Sequence, residues 1–202
     1  MKKCYIVGAG DFNRSFSPDK SDLVIAADGG HDHLLRSGIR CDVLIGDLDS
    51  IENVPTGVET LKFPVKKDET DMHLAYLEGV KRGYSDFVIL GGTGGREDHT
   101  FANYCLLLYI AENRHTAKLL SDTGEVQILK NSSTVITGEP MKHLSIFPFG
   151  CPASGVSVEG AEYECEDITL YPSFPLAVSN RFLDGEVKIS VKDGTLLVMK
   201  EF

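Results

Sequence analysis

The sequence is poor in basic residues and has no long apolar run, and each absence excludes a class of protein. Its 202 residues include 20 Lys and Arg against 30 Asp and Glu, which gives a formal net charge of −10. Nonspecific binding to nucleic acid needs a basic surface, so we expect no nucleic-acid partner. No apolar run approaches the ~20 residues that span a membrane. The run near the first residue is also too short for a secretory signal. We therefore expect a cytoplasmic protein with no membrane partner.

Familiar cysteine and glycine signatures are also missing. The five cysteines are odd in number and form no CxxC pair, so reduced and mostly buried cysteines are favoured over a disulfide framework or a zinc site. Neither a P-loop with GK[ST] nor a GxGxxG dinucleotide motif is present. Any phosphate site must therefore use another arrangement of glycines and charges.

The first part of the chain alternates short apolar runs with helical patterns. The apolar runs predict strands at 4–10, 22–30, 41–47, 58–64, 86–92 and 117–122. Helical spacing predicts helices at 31–38, 69–83 and 97–113. Continuous apolar strands separated by helices are typical of a parallel sheet that is covered on both faces. Residues 1–122 are thus predicted to form a doubly wound, mostly parallel six-stranded α/β sheet with helices on both faces.

The remaining chain consists of short strand-like runs divided by Gly, Pro, Asn or Asp. These runs lie at 125–130, 134–138, 143–150, 155–160, 164–171, 176–180, 186–194 and 195–200. No long helical pattern intervenes, and this succession of short strands predicts an antiparallel β-sandwich over residues 123–202.

Six aspartates lie in four clusters at predicted strand ends or helix starts. The clusters are AADGG with Asp28, GDLDS with Asp47 and Asp49, KKDETD with Asp68 and Asp71, and GGTGGREDH with Asp98. Ligands of open α/β sheets bind beyond the carboxyl ends of the strands, so the clusters could converge at one edge. Glycine turns at helix starts attract phosphate, whereas clustered carboxylates repel it. A hard cation such as Mg²⁺ between the two resolves this conflict.

The GGTGGREDH motif is the most specific of the four. Its glycines follow an apolar run and precede a helical pattern, so the N–H groups of Gly94 and Gly95 could bind an anion while Arg96 donates in bidentate fashion. The alternative is an ordinary glycine-rich turn with an exposed arginine. The sequence leaves both open.

The other clusters have equally plain alternatives. Asp47 and Asp49 are two apart and share one side of an extended chain, which suits a cation or simply a solvated turn. Asp68 is expected near the N-cap of a helix and Asp71 near its third residue, a common capping arrangement. Thr70 could donate its hydroxyl to phosphate. Lys66 and Lys67 could meet phosphate or remain solvated.

The ordered set ADGG, GDLDS, KDETD, GGTGGREDH and a late SNRF resembles the thiamine pyrophosphokinase family over essentially the whole chain. The resemblance implies an Mg²⁺-dependent enzyme that transfers pyrophosphate from ATP to the thiamine hydroxyl, giving thiamine diphosphate and AMP. It implies a nucleotide-binding catalytic domain at 1–122 and a thiamine-binding sandwich at 123–202. It also implies a homodimer, with the active site between the α/β domain of one subunit and the sandwich of the other.

The same resemblance assigns roles to individual residues. The catalytic group would be Asp71, Asp98 and Asp49. Nucleotide phosphates would be bound by Thr70, Arg96, Asp68, Gly94 and Gly95. Thiamine would be bound by Ser179, Asn180 and Asp28. The metal would be held by Asp47, Asp49, Asp68 and Asp71.

Two alternative functions stay open at this point. One is another Mg²⁺-dependent pyrophosphotransferase on the same scaffold, for example one that acts on a pterin alcohol. The other is a non-catalytic nucleotide or thiamine sensor. The SNRF motif argues for thiamine, and the many clustered carboxylates argue against a sensor. The choice of Asp71 or Asp98 as the acceptor of the alcohol proton is also left open.

Overall fold

The chain divides into two compact units, Met1–Asp122 and Thr123–Phe202. The computed structural model describes residues 2–12, 16–47 and 57–202. Within those ranges, no helix combines the length and the apolar content that crossing a membrane requires. The assignment of nucleotide binding to the first unit and thiamine binding to the second stays a prediction.

A parallel sheet forms the first unit. Its described strands are β1 (Cys4–Val7), β2 (Leu23–Ala27), β3 (Val43–Gly46), β4 (Glu59–Lys62), β5 (Asp86–Leu90) and β6 (Thr116–Leu120). Its described helices are α1 (Gly30–Ser37), α2 (Asp71–Lys81) and α3 (Glu97–Glu112). The strand order is β6-β5-β1-β2-β3-β4, with every recorded pair parallel. The predicted six-stranded α/β fold is confirmed.

Helices cover both faces of this sheet because side chains alternate along each strand. On one face, Leu34 of α1 packs into the same buried cluster as Val24 of β2. On the other face, Gly79 of α2 lies so close that an added Cβ would come within 2.7 Å of the Phe87 ring and 2.9 Å of Cys4 Sγ. A glycine is required at this position in α2 because the helix packs directly onto the strands.

The strand order changes direction between β1 and β5. From β1 the chain runs outward through β2 and β3 to β4, and it returns through α2 to β5 on the other side of β1. Such a switch point opens a crevice at the carboxyl ends of the two strands, where open α/β sheets bind their ligands.

Two antiparallel sheets form the second unit. The strands are β7 (Gly124–Lys130), β8 (Ser133–Thr137), β9 (His143–Pro148), β10 (Ala153–Glu159), β11 (Cys165–Leu170), β12 (Asn180–Arg181), β13 (Glu186–Ser190) and β14 (Thr195–Glu201). The sheets have the orders β12-β9-β14-β7 and β11-β10-β13-β8. One buried cluster joins Leu144 and Val198 of the first sheet to Val156 and Ile189 of the second. The predicted antiparallel sandwich is confirmed.

The strand predicted at 176–180 is wrong for most of its length. Residues 176–179 form a turn, and pairing with β9 begins only at Asn180. Ser179 has a φ of 58°, which interrupts the extended backbone that a strand needs. Leu176 and Val178 are exposed, so their apolar alternation does not reflect burial in this unit.

The cysteines are all free thiols, as predicted, but they are less buried than predicted. Cys4 is buried in β1, whereas Cys105 and Cys151 are exposed. Cys105 lies in the apolar stretch of α3 but on its exposed side, so the run of apolar letters overestimates its burial.

Candidate active site

Two glycine loops extend the β1–β5 pairing beyond the ends of the strands. The N–H of Gly8 donates to the Leu90 carbonyl at 2.8 Å, and the N–H of Gly10 donates to the Gly91 carbonyl at 2.9 Å. The N–H of Asp11 then donates to the Thr93 carbonyl at 2.6 Å. A side chain at Gly10 or Gly91 would overlap the opposite backbone, so this close approach requires glycine. The paired loops form a floor at the switch point.

A cavity of about 500 Å³ lies over this floor. Beside the glycine loops, it is lined by polar side chains from the ends of β2 and β3 and from the starts of α2 and α3. These include Asp28, Asp47, Lys67, Glu69, Thr70, Asp71, Arg96 and Asn103. The predicted residues Asp28, Asp47, Thr70, Asp71, Gly94, Gly95 and Arg96 therefore lie around one cavity. The prediction that the motifs would meet at one edge of the sheet agrees with this arrangement.

Three other predicted site residues of the first unit have a different position. Asp68 is exposed on the loop before α2 and does not line the cavity. Asp98 is exposed at the start of α3 and lies outside the lining, but it pairs with Arg96, which belongs to the lining. Asp49 lies outside the described residues.

The loop that carries Gly94 and Gly95 has the backbone of an anion site. Gly94 and Gly95 have φ values of 80° and 65°, a consecutive left-handed pair that only glycine adopts readily. Within the described part of the chain, neither N–H has a hydrogen-bond partner. The hydroxyl oxygen of Thr93 is also buried and unpaired in that same part. Donors held open in a positive-φ turn are suited to phosphate.

The start of α2 differs from the sequence prediction by two residues. Thr70 is the N-cap, with its hydroxyl oxygen accepting the His73 N–H at 3.2 Å, and Asp71 is the first helical residue. The prediction that Asp68 caps the helix and that Asp71 is its third residue is wrong. Threonine is, like aspartate, among the preferred N-cap residues, and the helix begins after Thr70, the later of the two. The Thr70 hydroxyl proton is left available to a ligand oxygen.

Lys67 and Asp71 form a sheltered ion pair at the cavity wall. Lys67 Nζ lies 2.6 Å from Asp71 Oδ1, and the two side chains are 12% and 29% exposed. The positive end of the α2 dipole also favours a carboxylate at Asp71. The sequence had left Lys67 undecided between phosphate and solvent, and its position in the lining excludes a fully solvated lysine.

Arg96 and Asp98 form a two-pronged pair at the start of α3. Arg96 Nη2 lies 2.5 Å from Asp98 Oδ2, and Arg96 Nε lies 3.1 Å from Asp98 Oδ1. Hydrogen bonding to this guanidinium, aided by its charge, holds the pKa of the Asp98 carboxyl below its usual range. Asp98 is therefore ionised at neutral pH, and a lowered pKa makes it a weaker proton acceptor.

Asp28 connects the ends of β2 and β3. Its φ is 47° and its N–H donates to the Ile45 carbonyl at 2.7 Å. A Cβ added at Gly46 would lie 3.4 Å from Asp28 Oδ1, which places the carboxylate beside the strand end that leads to Asp47. Aspartate is among the few residues that tolerate positive φ.

The donor set of the cavity has the chemistry of a hard-cation site. Asp28, Asp47 and Asp71 supply carboxylate oxygens, the ligand type that Mg²⁺ prefers. Among the described residues, no three His, Cys, Asp or Glu side chains already converge on a common point. Lys67 holds one of the three carboxylates.

Asn103 is a member of the site that sequence reasoning missed. It is buried on α3, and its side-chain Nδ2 donates to the Gly92 carbonyl at 2.7 Å. The available signal was one amide in the otherwise apolar stretch of this helix.

The two predicted thiamine residues of the second unit differ in exposure. Ser179 is exposed, and its N–H donates to Ser145 Oγ at 3.0 Å. Asn180 is buried. Its Oδ1 accepts the Tyr163 N–H at 2.9 Å, and its Nδ2 donates to the Tyr163 carbonyl at 2.7 Å. Asn180 thus fixes the backbone that carries the exposed Tyr163 side chain.

Both units match family models. Residues 17–119 match the model described as "Thiamin pyrophosphokinase, catalytic domain". Residues 131–196 match the one described as "Thiamin pyrophosphokinase, vitamin B1 binding domain".

Known proteins show the same relationship. A thiamine pyrophosphokinase of Bacillus subtilis is 25% identical over 189 residues, covering 90% of this chain and 88% of the relative. The crystal structure of the Bacillus subtilis enzyme superimposes with a TM-score of 0.88 at 24% identity, covering 99% of both chains. A thiamin pyrophosphokinase family protein from Enterococcus faecalis superimposes with a TM-score of 0.87 at 24% identity, covering 100% of this chain and 99% of the other.

Proposed function

We propose that this chain transfers pyrophosphate from ATP to the hydroxyl of thiamine. The basis is that the chain belongs to the thiamin pyrophosphokinase family and is an enzyme. The products would be thiamine diphosphate and AMP, and the reaction would need Mg²⁺. The observation that carries this proposal is the cavity at the β1–β5 switch point, where open N–H donors, an arginine and three aspartates surround one space. Phosphate binding and a bridging cation both suit this combination.

The phosphate contacts follow from the donors of the cavity. The N–H groups of Gly94 and Gly95 and the hydroxyl of Thr70 would hold phosphate oxygens. Arg96 presents a planar fork that can bind two oxygens at once. It would exchange its present partner Asp98 for phosphate, or bind phosphate while keeping that pair. Fixed donors of this kind align the phosphates and offset the charge that builds up during transfer.

The metal would be held by carboxylates of the same cavity. Asp47 and Asp71, which line the cavity, are proposed ligands, with Asp28 beside them. Asp68, outside the lining, and Asp49, outside the described residues, remain proposed ligands from the sequence. When bound, Mg²⁺ supplies charge neutralisation and polarisation of the phosphates.

The transfer step itself makes and breaks one bond to phosphorus. The thiamine hydroxyl oxygen bonds to the β-phosphorus of ATP while the bond from that phosphorus to the oxygen of the α-phosphate breaks, and AMP leaves. The alcohol proton passes to a carboxylate, for which Asp71 and Asp98 are the candidates. Asp71 lines the cavity whereas Asp98 does not, which favours Asp71.

Thiamine binding is proposed to involve a second copy of the chain. Apolar side chains of the segment 163–183 are exposed on the isolated chain: Tyr163, Tyr171, Phe174, Leu176, Val178 and Leu183. Exposed apolar side chains in such number indicate a surface that another molecule covers. Ser179 lies in the same segment, and the homodimer is proposed to place it at the active site of the partner.

A cytoplasmic location is also proposed. All five cysteines are free, which agrees with a reducing compartment. Burial raises the pKa of Cys41 to about 11, so this thiol stays protonated and unreactive at neutral pH.

The direct test is to incubate the purified protein with ATP, Mg²⁺ and thiamine and to follow the products by mass spectrometry, with EDTA as a control. Equal amounts of AMP and thiamine diphosphate that disappear with EDTA would establish both the reaction and its metal requirement. ADP with thiamine monophosphate would show that the hydroxyl attacks the γ-phosphorus and not the proposed β-phosphorus. ATP binding without any product would overturn the proposed activity.

A further inference from the structure

We infer that Lys67 is an exchangeable counterion of the active site, holding the Asp71 carboxylate before substrate binds and donating to a nucleotide phosphate afterwards. Lys67 and the predicted metal ligand Asp71 are paired on the wall of one cavity, and this arrangement suggests the exchange. The inference rests on the proposed function because it takes the nucleotide and the cation as ligands of this site.

Except for Lys200, which is 16% exposed, the other described lysines that form ion pairs are less sheltered than Lys67. Its side chain is 12% exposed, whereas those of Lys81 and Lys192 are 75% and 72% exposed in their pairs. A solvated surface pair contributes little and needs no fixed geometry. Lys67 Nζ also lies 5.8 Å from the centre of the Phe63 ring, a distance at which the ring still attracts a cation. Asp71 and the Phe63 ring therefore both help to hold the ammonium at the cavity.

The charge of the cavity explains why this lysine is needed. Its described lining contains four carboxylates, from Asp28, Asp47, Glu69 and Asp71. Lys67 and Arg96 are the lysine and the arginine of that described lining, and Arg96 already pairs with Asp98. The Lys67 ammonium therefore neutralises part of the negative charge before any ligand arrives.

Substrate binding would change the partner of Lys67. A divalent cation that binds the Asp71 carboxylate competes with the ammonium for the same oxygens. Nucleotide phosphates bring new acceptors into the cavity at the same moment. Because lysine has a flexible stem and three rotatable donors, Nζ can turn from the carboxylate to phosphate without a change in the backbone.

The test compares Lys67→Met with Lys66→Met, since methionine keeps an apolar stem and removes the charge. Lys66 is exposed and does not line the cavity, so it is the matched control. Two affinities are measured by calorimetry without thiamine: that of Mn²⁺ alone and that of the Mg²⁺ complex of ATP. Loss of a charged donor should weaken ATP binding by about tenfold or more in Lys67→Met. Removal of the competing ammonium should tighten Mn²⁺ binding several-fold. Lys66→Met should change neither affinity.

The opposite signs of the two changes separate this role from a purely structural one, which would weaken both. Weaker Mn²⁺ binding, or unchanged ATP binding, in Lys67→Met would overturn the inference. If Lys67→Met does not fold, Lys67→Gln takes its place, and Lys67→Arg should keep ATP affinity within a few-fold of wild type. Neither affinity requires turnover. A wild-type protein that binds both ligands but makes no thiamine diphosphate would therefore overturn the proposed function while leaving the test of Lys67 intact.

Discussion

The side-chain amide of Asn103 donates a 2.7 Å hydrogen bond to the carbonyl of Gly92, which ties α3 to the loop that precedes it. Both residues are buried. This bond fixes the peptide that joins Gly92 to Thr93. That peptide comes one step before the left-handed Gly94 and Gly95, whose loop is called the phosphate loop below. The orientation of the loop therefore depends on an amide eleven residues away in the sequence.

Replacing Asn103 by Ala should weaken nucleotide binding and destabilise the fold. A buried carbonyl left without its donor costs roughly 1–3 kcal/mol of stability, and the freed peptide should raise the KM for ATP more than it lowers kcat. Thermal unfolding and steady-state kinetics measure the two effects. Asn113→Ala is the control, since Asn113 donates a similar 2.8 Å bond to the Tyr109 carbonyl at the exposed end of the same helix. An unchanged KM in Asn103→Ala would refute the positioning role.

Replacing Gly94 by Ala should damage the phosphate loop through backbone strain and overlap together. Gly94 has a φ of 80°, and a Cβ there would overlap the carboxylate of Asp11. Gly83→Ala is the matched control, because Gly83 has a φ of 84° but open space around it. Left-handed backbone alone should cost roughly 1 kcal/mol in either variant. We expect only Gly94→Ala to lose ATP affinity, as measured by calorimetry. Equal losses of ATP affinity in the two variants would mean that backbone strain alone causes the loss.

Replacing Asp71 by Asn should lower turnover by about 100-fold or more, because it removes a proposed metal ligand and proton acceptor. The fold should stay intact, since asparagine is similar in size and Thr70 keeps the helix cap. Asp32→Asn is the control: Asp32 lies in the first turn of α1 but outside the cavity lining. The kcat and the melting temperature are measured for both. Near-wild-type turnover in Asp71→Asn would remove this residue from the mechanism.

The stability of the protein should fall in acid partly through His73. Burial lowers the pKa of His73 despite the opposing charge of Glu69, and the ring packs against Tyr109 with centroids 4.6 Å apart. Below the ordinary histidine pKa of about 6.5, the unfolded chain takes up a proton that the folded chain resists. Stability is therefore retained above that pH and lost as the pH falls towards the lower folded value.

Replacing His73 by Phe keeps an aromatic ring and removes the titration. The variant should lose less of its melting temperature than wild type does between neutral and mildly acidic pH. Wild type and variant share every other titrating group, so the difference between their two profiles isolates His73. Parallel profiles would show that this histidine makes no contribution.

The sheet of the first unit could be predicted from sequence because its central strands are buried on both faces. Cys4–Val7 and Leu23–Ala27 are buried at every position, and uninterrupted apolar runs report that condition directly. The segment 176–180 shows the limit of the same rule. Its apolar residues are exposed and turn rather than extend, since hydrophobicity does not reveal which surface will cover a side chain.

The sequence could predict which residues belong to the site better than it could predict the contacts between them. The carboxyl ends of parallel strands meet at one edge whatever the loops do, so Asp28 and Asp47 could be placed together in advance. The choice of cap between Asp68 and Thr70 could not be made, because both residue types cap well. The pair of Lys67 and Asp71 has the spacing of helical neighbours, yet Lys67 precedes the helix, so helical rules gave no reason to join them.

The floor of the cavity consists of backbone alone, continuing the β1–β5 ladder through Gly8, Gly10 and Asp11. An inserted residue on either side would displace one loop against the other by about 3.3 Å, far beyond the ~0.5 Å within which a functional site must be held. The number of peptide units in each loop is therefore fixed by the ladder, independently of the side chains around it. An insertion or deletion in either loop should therefore mark relatives in which this pocket has lost its purpose.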